Sequence, residues 1–192
     1  MNKSLITTAL LGILLLFSSQ QVQAQSNFGF RAGLNIANFN DTPDNVDPDS
    51  RTGLMAGAYF NFKVPATPIA IQPEIIYSQK GYEVGDATLE LDYIEVPVLA
   101  KFMFAPGPIQ PHVYLGPYVG FEVNSEVTGN NVSVAVDDAN TDFGGIVGAG
   151  VDLNAGVTKL NIGARYGFGL VDAFDGGQGK NSVFSIVAGI TL

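Results

Sequence analysis

Residues 93–102 read YIEVPVLAKF, and this stretch decides the fold. Its residues sort into two sets by alternate position. One set is wholly apolar and consists of Ile94, Val96, Val98, Ala100 and Phe102. The other set contains both apolar and charged residues and consists of Tyr93, Glu95, Pro97, Leu99 and Lys101. Because successive side chains of a β-strand point to opposite faces, the stretch predicts a strand with one apolar face and one face that carries an acid and a base. Pro97 removes one hydrogen bond from the ladder, which would favour a local bulge there.

The same period of two recurs along most of the chain. It predicts eight strands, at 28–39, 52–62, 69–80, 91–104, 109–123, 142–153, 159–170 and 183–192. The connections alternate in length: the long ones are at 40–51, 81–90, 124–141 and 171–181, and the short ones at 64–68, 105–108 and 154–156. Long external loops and short periplasmic turns are typical of an antiparallel up-and-down outer-membrane barrel.

Composition excludes several classes of protein. The 192 residues suit one domain, and the absence of Cys excludes a disulfide scaffold, a cysteine-ligated metal site and a lipid anchor on cysteine. The formal net charge of −9 argues against a nucleic-acid partner, since phosphate binding needs clustered Lys and Arg.

The first 24 residues have the pattern of a secretory signal peptide. Lys3 precedes an apolar run at 5–17, and the small-residue pattern that ends at Ala24 follows. The alternative is a transmembrane anchor, but the run is too short to span about 30 Å of hydrocarbon. We therefore expect a cleaved signal peptide at 1–24 and an outer-membrane β-barrel domain at 25–192.

Apart from Asp92 near one end of the fourth strand, the apolar faces of the eight strands carry no charge, which indicates that they meet lipid. A charge there would cost about 2–4 kcal/mol at the midplane of the membrane. Charged residues occur on the mixed faces of these strands, and eight of them are expected in the lumen: Arg31, Glu74, Lys80, Glu95, Lys101, Glu122, Asp152 and Arg165. We expect them to form a paired network in the lumen, because a buried unpaired charge is costly.

Acidic residues concentrate in the long connections. The first of these carries an acidic surface loop formed by Asp41, Asp44, Asp47 and Asp49. Oxygen ligands of this kind suit calcium, but the spacing does not match a calcium-binding loop, so a solvated acidic loop is the simpler interpretation. Divalent ions could also bridge these acids to lipopolysaccharide phosphates.

A soluble barrel of the lipocalin or avidin type is the structural alternative, with the apolar face turned inward. The alternation of loop lengths argues for the membrane barrel instead. So do the aromatic residues at strand ends, which are typical of membrane interfaces: Phe28, Phe62, Phe104, Phe143, Phe168 and Phe184.

The order of these segments resembles the outer membrane protein β-barrel domain family, also labelled porin-family or PorT-like proteins of Gram-negative bacteria. QPEIIYSQKG at 72–81 and YIEVPVLAKF at 93–102 are the most specific parts of the resemblance, which covers the whole chain after residue 24. The resemblance implies an eight-stranded barrel the size of OmpA or OmpX in the outer membrane, but no single function. Barrels of this kind usually end in an aromatic residue, whereas this chain ends in Leu192.

The interior of an eight-stranded barrel is just wide enough for side chains to fill. We therefore expect a structural or surface-interaction role with a plugged lumen. The alternatives are a small passive channel and a soluble periplasmic ligand-binding barrel. The only histidine, His112, points inward with no nucleophile marked beside it, so we expect no enzyme activity, no catalytic residues, no metal site and no cofactor. The expected partners are outer-membrane lipid, lipopolysaccharide and an unidentified surface or secretion-apparatus protein, with the chain itself a monomer.

Overall fold

The computed structural model describes residues 26–40, 49–84, 87–129, 132–135, 141–170 and 180–192. The expected signal peptide at 1–24 lies outside these residues, as do Asp41, Asp44 and Asp47 of the acidic loop. Asp49 is among the described residues and is the first residue of a strand. Within the described residues, no helix combines the length and the apolar character needed to cross a membrane.

The strands follow one another as antiparallel neighbours. They are β1 (Ser26–Asn40), β2 (Asp49–Lys63), β3 (Ile69–Val84), β4 (Ala87–Met103), β5 (Ile109–Gly129), β6 (Val132–Ala135), β7 (Thr141–Ala155), β8 (Thr158–Gly169) and β9 (Lys180–Thr191). Pairing runs from β1 through β5 to β7, β8 and β9, and β9 pairs back with β1 to close the ring. The short strand β6 pairs with the end of β5 outside this ring. The predicted eight-stranded antiparallel barrel is thus confirmed.

The two ends of the barrel differ in their connections. The turns at 64–68, 104–108 and 156–157 gather at one end, which we call the short-turn end. The last turn uses Gly156 at φ 77°, a left-handed conformation that favours glycine. We call the opposite end the long-loop end.

Two of the connections predicted to be long are mainly strand. β3 and β4 continue as a hairpin until Val84 pairs with Ala87, and β5 continues to Gly129, where β6 turns back along it. The residues of 81–91 alternate apolar and polar, so the strand pattern continues through the predicted loop. Pro97 was also predicted to favour a bulge, and this is wrong: Pro97 lies opposite Tyr118 with no shift of register. The register of this pair shifts instead at Asp92 and Tyr93, whose partners Asn124 and Glu122 leave Val123 of β5 as the additional, bulged residue.

The apolar faces point outward, as the period of two predicted. Leu34, Ile75, Leu115 and Ile186 are each at least half exposed near the middle of their strands. Of the aromatic strand ends, Phe104, Phe143 and Phe184 are exposed, and Phe28, Phe62 and Phe168 are partly exposed.

Glycines on the inner wall make room for large aromatic side chains. A Cβ placed on Gly148 would lie 2.4 Å from the ring of Tyr114, and one placed on Gly144 would lie 2.6 Å from the ring of Tyr118. Such distances are far inside van der Waals contact, so each tyrosine lies flat against a neighbouring strand because that strand carries no side chain there.

Candidate functional site: the polar lumen

A cluster at the middle of the lumen joins three strands. The Glu74 carboxylate on β3 accepts hydrogen bonds from Arg31 on β1 at 2.6 Å and from Arg165 on β8 at 3.1 Å. All three side chains are at most 4% exposed. Gln72 also donates to Glu74 at 2.5 Å, and the Arg31 guanidinium lies 4.8 Å from the centre of the Tyr59 ring. One carboxylate therefore neutralises part of the charge of two arginines.

The contact between Glu74 and Arg165 crosses the whole barrel. β3 and β8 are separated by β2, β1 and β9 in the pairing order, so they stand four positions apart in a ring of eight. They lie on opposite walls, and the ion pair joins those walls through the centre of the lumen.

A second cluster lies toward the long-loop end and surrounds Lys80. The Lys80 ammonium is 2.7 Å from Glu95 on β4 and 3.0 Å from Asp142 on β7. It also lies 4.9 and 5.0 Å from the ring centres of Tyr93 and Tyr118, within the range of cation–π attraction. Tyr118 donates to the same Asp142 carboxylate at 3.0 Å.

A third cluster lies toward the short-turn end and centres on Asp152. This carboxylate accepts from Lys101 at 2.7 Å and from Asn161 at 2.7 Å. His112 Nδ1 is 3.5 Å from the same carboxylate and 3.4 Å from the carbonyl oxygen of Gln110. The imidazole is thus held between a carboxylate and a backbone acceptor.

The three clusters contain seven of the eight residues predicted for the lumen. The eighth, Glu122, is partly exposed and pairs with Tyr93 next to the bulge at Val123 in β5. Asp142 was not included in the predicted network, although it lies ten positions before Asp152 in the same strand and therefore has the same inward parity. With Asp142 included, the clusters bring four cationic side chains together with four carboxylates.

Two small cavities lie beside the clusters. One cavity, bordered by Lys80, Glu95 and Arg165, has a volume of about 20 Å³. A second, bordered by Lys101, Asp152 and Lys159, has a volume of about 10 Å³. Since a cavity of about 10–15 Å³ is needed for a single water molecule, each of these two cavities has room for about one.

The described part of the lumen shows no cluster of metal-binding side chains. Among the described residues, no group of three or more His, Asp or Glu side chains is placed to hold an ion. The carboxylates of the three clusters instead face lysine and arginine side chains.

The fold resembles solved outer-membrane proteins of similar size. Neisserial surface protein A superposes with a TM-score of 0.53 at 17% identity, and the match covers 86% of this chain and 96% of that one. Ail, the attachment invasion locus protein of Yersinia pestis, gives 0.52 at 14% identity, with coverage of 87% and 99%. OprG from Pseudomonas aeruginosa gives 0.52 at 12% identity, with coverage of 88% and 97%. At these identities the likeness concerns the fold alone.

No curated protein sequence matches the chain. A family model does match: the outer membrane protein beta-barrel domain aligns with residues 19–175, which is most of the chain. The match agrees with the closed ring of strands, the apolar outer face and the charged interior. The chain belongs to the outer membrane protein β-barrel domain family and is an integral barrel of the outer membrane.

Proposed function

We propose that the protein is a structural and surface-interaction barrel whose own side chains close its lumen. The observation that carries this proposal is the contact between Glu74 and Arg165, because it connects opposite walls at mid-height. A solute that entered the lumen would have to separate this ion pair and displace Arg31 from the same carboxylate. Separating buried charges is expensive, so the cluster acts as a fixed barrier.

The cavities support a closed lumen over a passive channel. The volumes of about 20 and 10 Å³ lie on either side of the middle cluster. Neither has room for a hydrated solute. The four cations and four carboxylates of the clusters also attract one another across the lumen, which holds the wall rigid.

We further propose that the barrel is not an enzyme. PagL, described as an outer membrane enzyme, has the same fold at 14% identity and a TM-score of 0.50, so catalysis has to be judged from the residues of the site. Nucleophilic catalysis needs a nucleophile beside a base. The polar contacts described for His112 are to the Asp152 carboxylate and the Gln110 carbonyl, and neither is a hydroxyl or thiol that the imidazole could activate.

The long-loop end is the surface that we propose for interaction. Loops on a rigid scaffold commonly carry function, and here the β3–β4 and β5–β6 hairpins extend the wall at that end. The acidic residues of the long connections would face outward from the cell, where divalent ions could join them to lipopolysaccharide phosphates. The protein would act there as a monomer, with a surface or secretion-apparatus protein as a further partner.

The first test is to locate the protein and measure its conductance. The outer-membrane fraction is run on a detergent gel with and without boiling, and a shift of mobility is expected for a closed barrel. The purified protein is then placed in a planar bilayer, where we expect no stable conductance steps.

The matched variant is Arg31→Ala combined with Glu74→Ala and Arg165→Ala. It removes the three charges of the middle cluster together, so none of them is left without its counter-charge. If the cluster closes the lumen, this variant conducts and the original chain does not. Equal, steady conductance by both proteins would refute the closed lumen and favour the passive channel.

The proposed contact with lipopolysaccharide is tested separately. Binding of the folded protein to lipopolysaccharide vesicles is measured with and without Mg²⁺, in the original chain and in a variant with Asp41, Asp44 and Asp47 changed to Asn. We expect binding that depends on Mg²⁺ and weakens in the variant. Binding that is unchanged by either would contradict the proposed role of these acids.

A further inference from the structure

The mouth at the short-turn end is basic, although the chain as a whole carries a net charge of −9. The cavity of about 10 Å³ at this mouth is bordered by Lys63, Lys101 and Lys159, with Asp152 as the one carboxylate among its bordering residues. Asp152 is already bound to Lys101 at 2.7 Å. Two lysines of the mouth therefore remain without a full counter-charge in this lining.

Those two lysines lie close to each other. Lys63 ends β2 and Lys159 stands near the start of β8, and both side chains border the same cavity of about 10 Å³. Both are partly exposed. Their like charges repel each other. An anion placed between them would turn this repulsion into two attractive contacts.

A second observation at the same cavity concerns Asn61. Asn61 borders the cavity and is about nine-tenths buried, yet its Oδ1 has no hydrogen-bond partner. Buried acceptors of this kind normally receive a hydrogen bond. A protonated phosphate oxygen, or a water molecule ordered beneath the anion, would supply the donor.

We propose that the short-turn mouth binds an oxyanion of the phosphate class between Lys63 and Lys159, with Lys101 behind them. The cavity itself has room for about one water molecule, so the anion would sit at the outer side of the lysine pair. The two sources of such a group are a free phosphate compound and the headgroup of an anionic phospholipid, and both present the same oxygen atoms to the lysines.

The test uses the folded chain in micelles of a non-ionic detergent. Inorganic phosphate is titrated in one arm, and phosphatidylglycerol is compared with phosphatidylcholine in the other, with binding followed by phosphorus NMR and by calorimetry. The variants are Lys63→Gln and Lys159→Gln. Because a hydrogen bond to a charged group contributes about 1.5–3 kcal/mol, each variant should weaken binding by roughly tenfold or more.

The control is Arg51→Gln, which removes a cation at the long-loop end, where Arg51 pairs with Glu90 at 2.8 Å. Mobility on an unboiled gel verifies that every variant has folded. Binding of phosphate that the lysine variants lose and Arg51→Gln keeps would support the site with a free phosphate as ligand. Binding of phosphatidylglycerol alone, with the same dependence on the lysines, would support it with a lipid headgroup as ligand. Absence of binding in both arms, or binding that the lysine variants retain, would overturn the proposal.

Discussion

Arg31 on β1 reaches past the whole of β2 to bind Glu74 on β3, with 2.6 Å between Arg31 Nη1 and Glu74 Oε1. The two side chains are 1% and 0% exposed. Since neither group can gain hydration by a small movement, the pair depends on its exact partners more than a surface ion pair does. This dependence makes the interior of the barrel accessible to mutational tests.

Replacing Glu74 by Gln should destabilise the barrel strongly. The change leaves Arg31 and Arg165 buried without their shared carboxylate, and breaking a buried pair in this way typically costs about 3–5 kcal/mol. Stability is measured in lipid vesicles from the fraction of folded band on an unboiled gel at increasing urea. Glu126→Gln is the matched control, because Glu126 is partly exposed beyond the ring and should change stability little. Equal urea midpoints for the two variants would contradict the prediction.

The Lys80 cluster predicts that one substitution can be repaired by two others. Lys80→Met leaves Glu95 and Asp142 as neighbouring buried carboxylates and should lower stability by about 3–5 kcal/mol. Adding Glu95→Gln and Asp142→Asn removes both charges, so the triple variant should recover most of the loss in the same urea assay. A triple variant as unstable as Lys80→Met would show that packing around the lysine, rather than its charge, is decisive.

The contact between Gly148 and Tyr114 predicts a cost for a single methyl group. A Cβ on Gly148 would lie 2.4 Å from the tyrosine ring, so Gly148→Ala should lower stability by about 1–3 kcal/mol through overpacking. Gly167 provides the comparison, because the nearest atom to a Cβ there is 3.9 Å away. Gly167→Ala should be neutral or slightly stabilising, since alanine loses less conformational entropy. Similar losses at both positions would argue against a specific fit of the tyrosine.

The loss of stability caused by adding a charge to the outer surface should depend on where along the barrel the charge is placed. Leu115 is 62% exposed near the middle of the ring portion of β5, and Val157 is 96% exposed in a short turn. Leu115→Lys should cost about 2–4 kcal/mol if this position lies near the midplane of the membrane, whereas Val157→Lys should cause no measurable loss. Folding into vesicles is compared for the two variants, and a harmless lysine at residue 115 would show that the outer wall does not meet hydrocarbon there.

Much of the fold could be read from alternate residues alone. The stretch at 93–102 places Glu95 and Lys101 on one face, and in the structure both are buried on the inner wall. Parity also places Asp142 and Asp152 on one face of β7. The extent of the strands was harder to predict. A glycine at position 81 suggests the end of β3, but Gly81 adopts a φ of 128° within the strand and the pairing continues to Val84.

The partners within the lumen could not be predicted by the same means. The alternation of side chains along β3 predicts that Lys80 points inward. Its contact with Asp142 depends in addition on how far each strand is staggered around the closed ring. The bulge at Val123 shifts that stagger by one residue, and nothing in the period of two marks its position. The face on which a side chain lies can therefore be predicted from its own strand. Its ion-pair partner across the barrel depends on how all the strands are staggered in the closed ring.

The hydrogen bonds that line the interior link the two ends of the chain. Asn35 accepts from Ser185 across a separation of 150 residues, and Tyr59 contacts Thr191 across 132. An open sheet that entered the hydrocarbon before the last strand arrived would leave these groups and the buried charges unsatisfied. Partly assembled barrels are consequently poor intermediates, and the strands must cross the membrane in a concerted step that is complete only when the last strand meets the first.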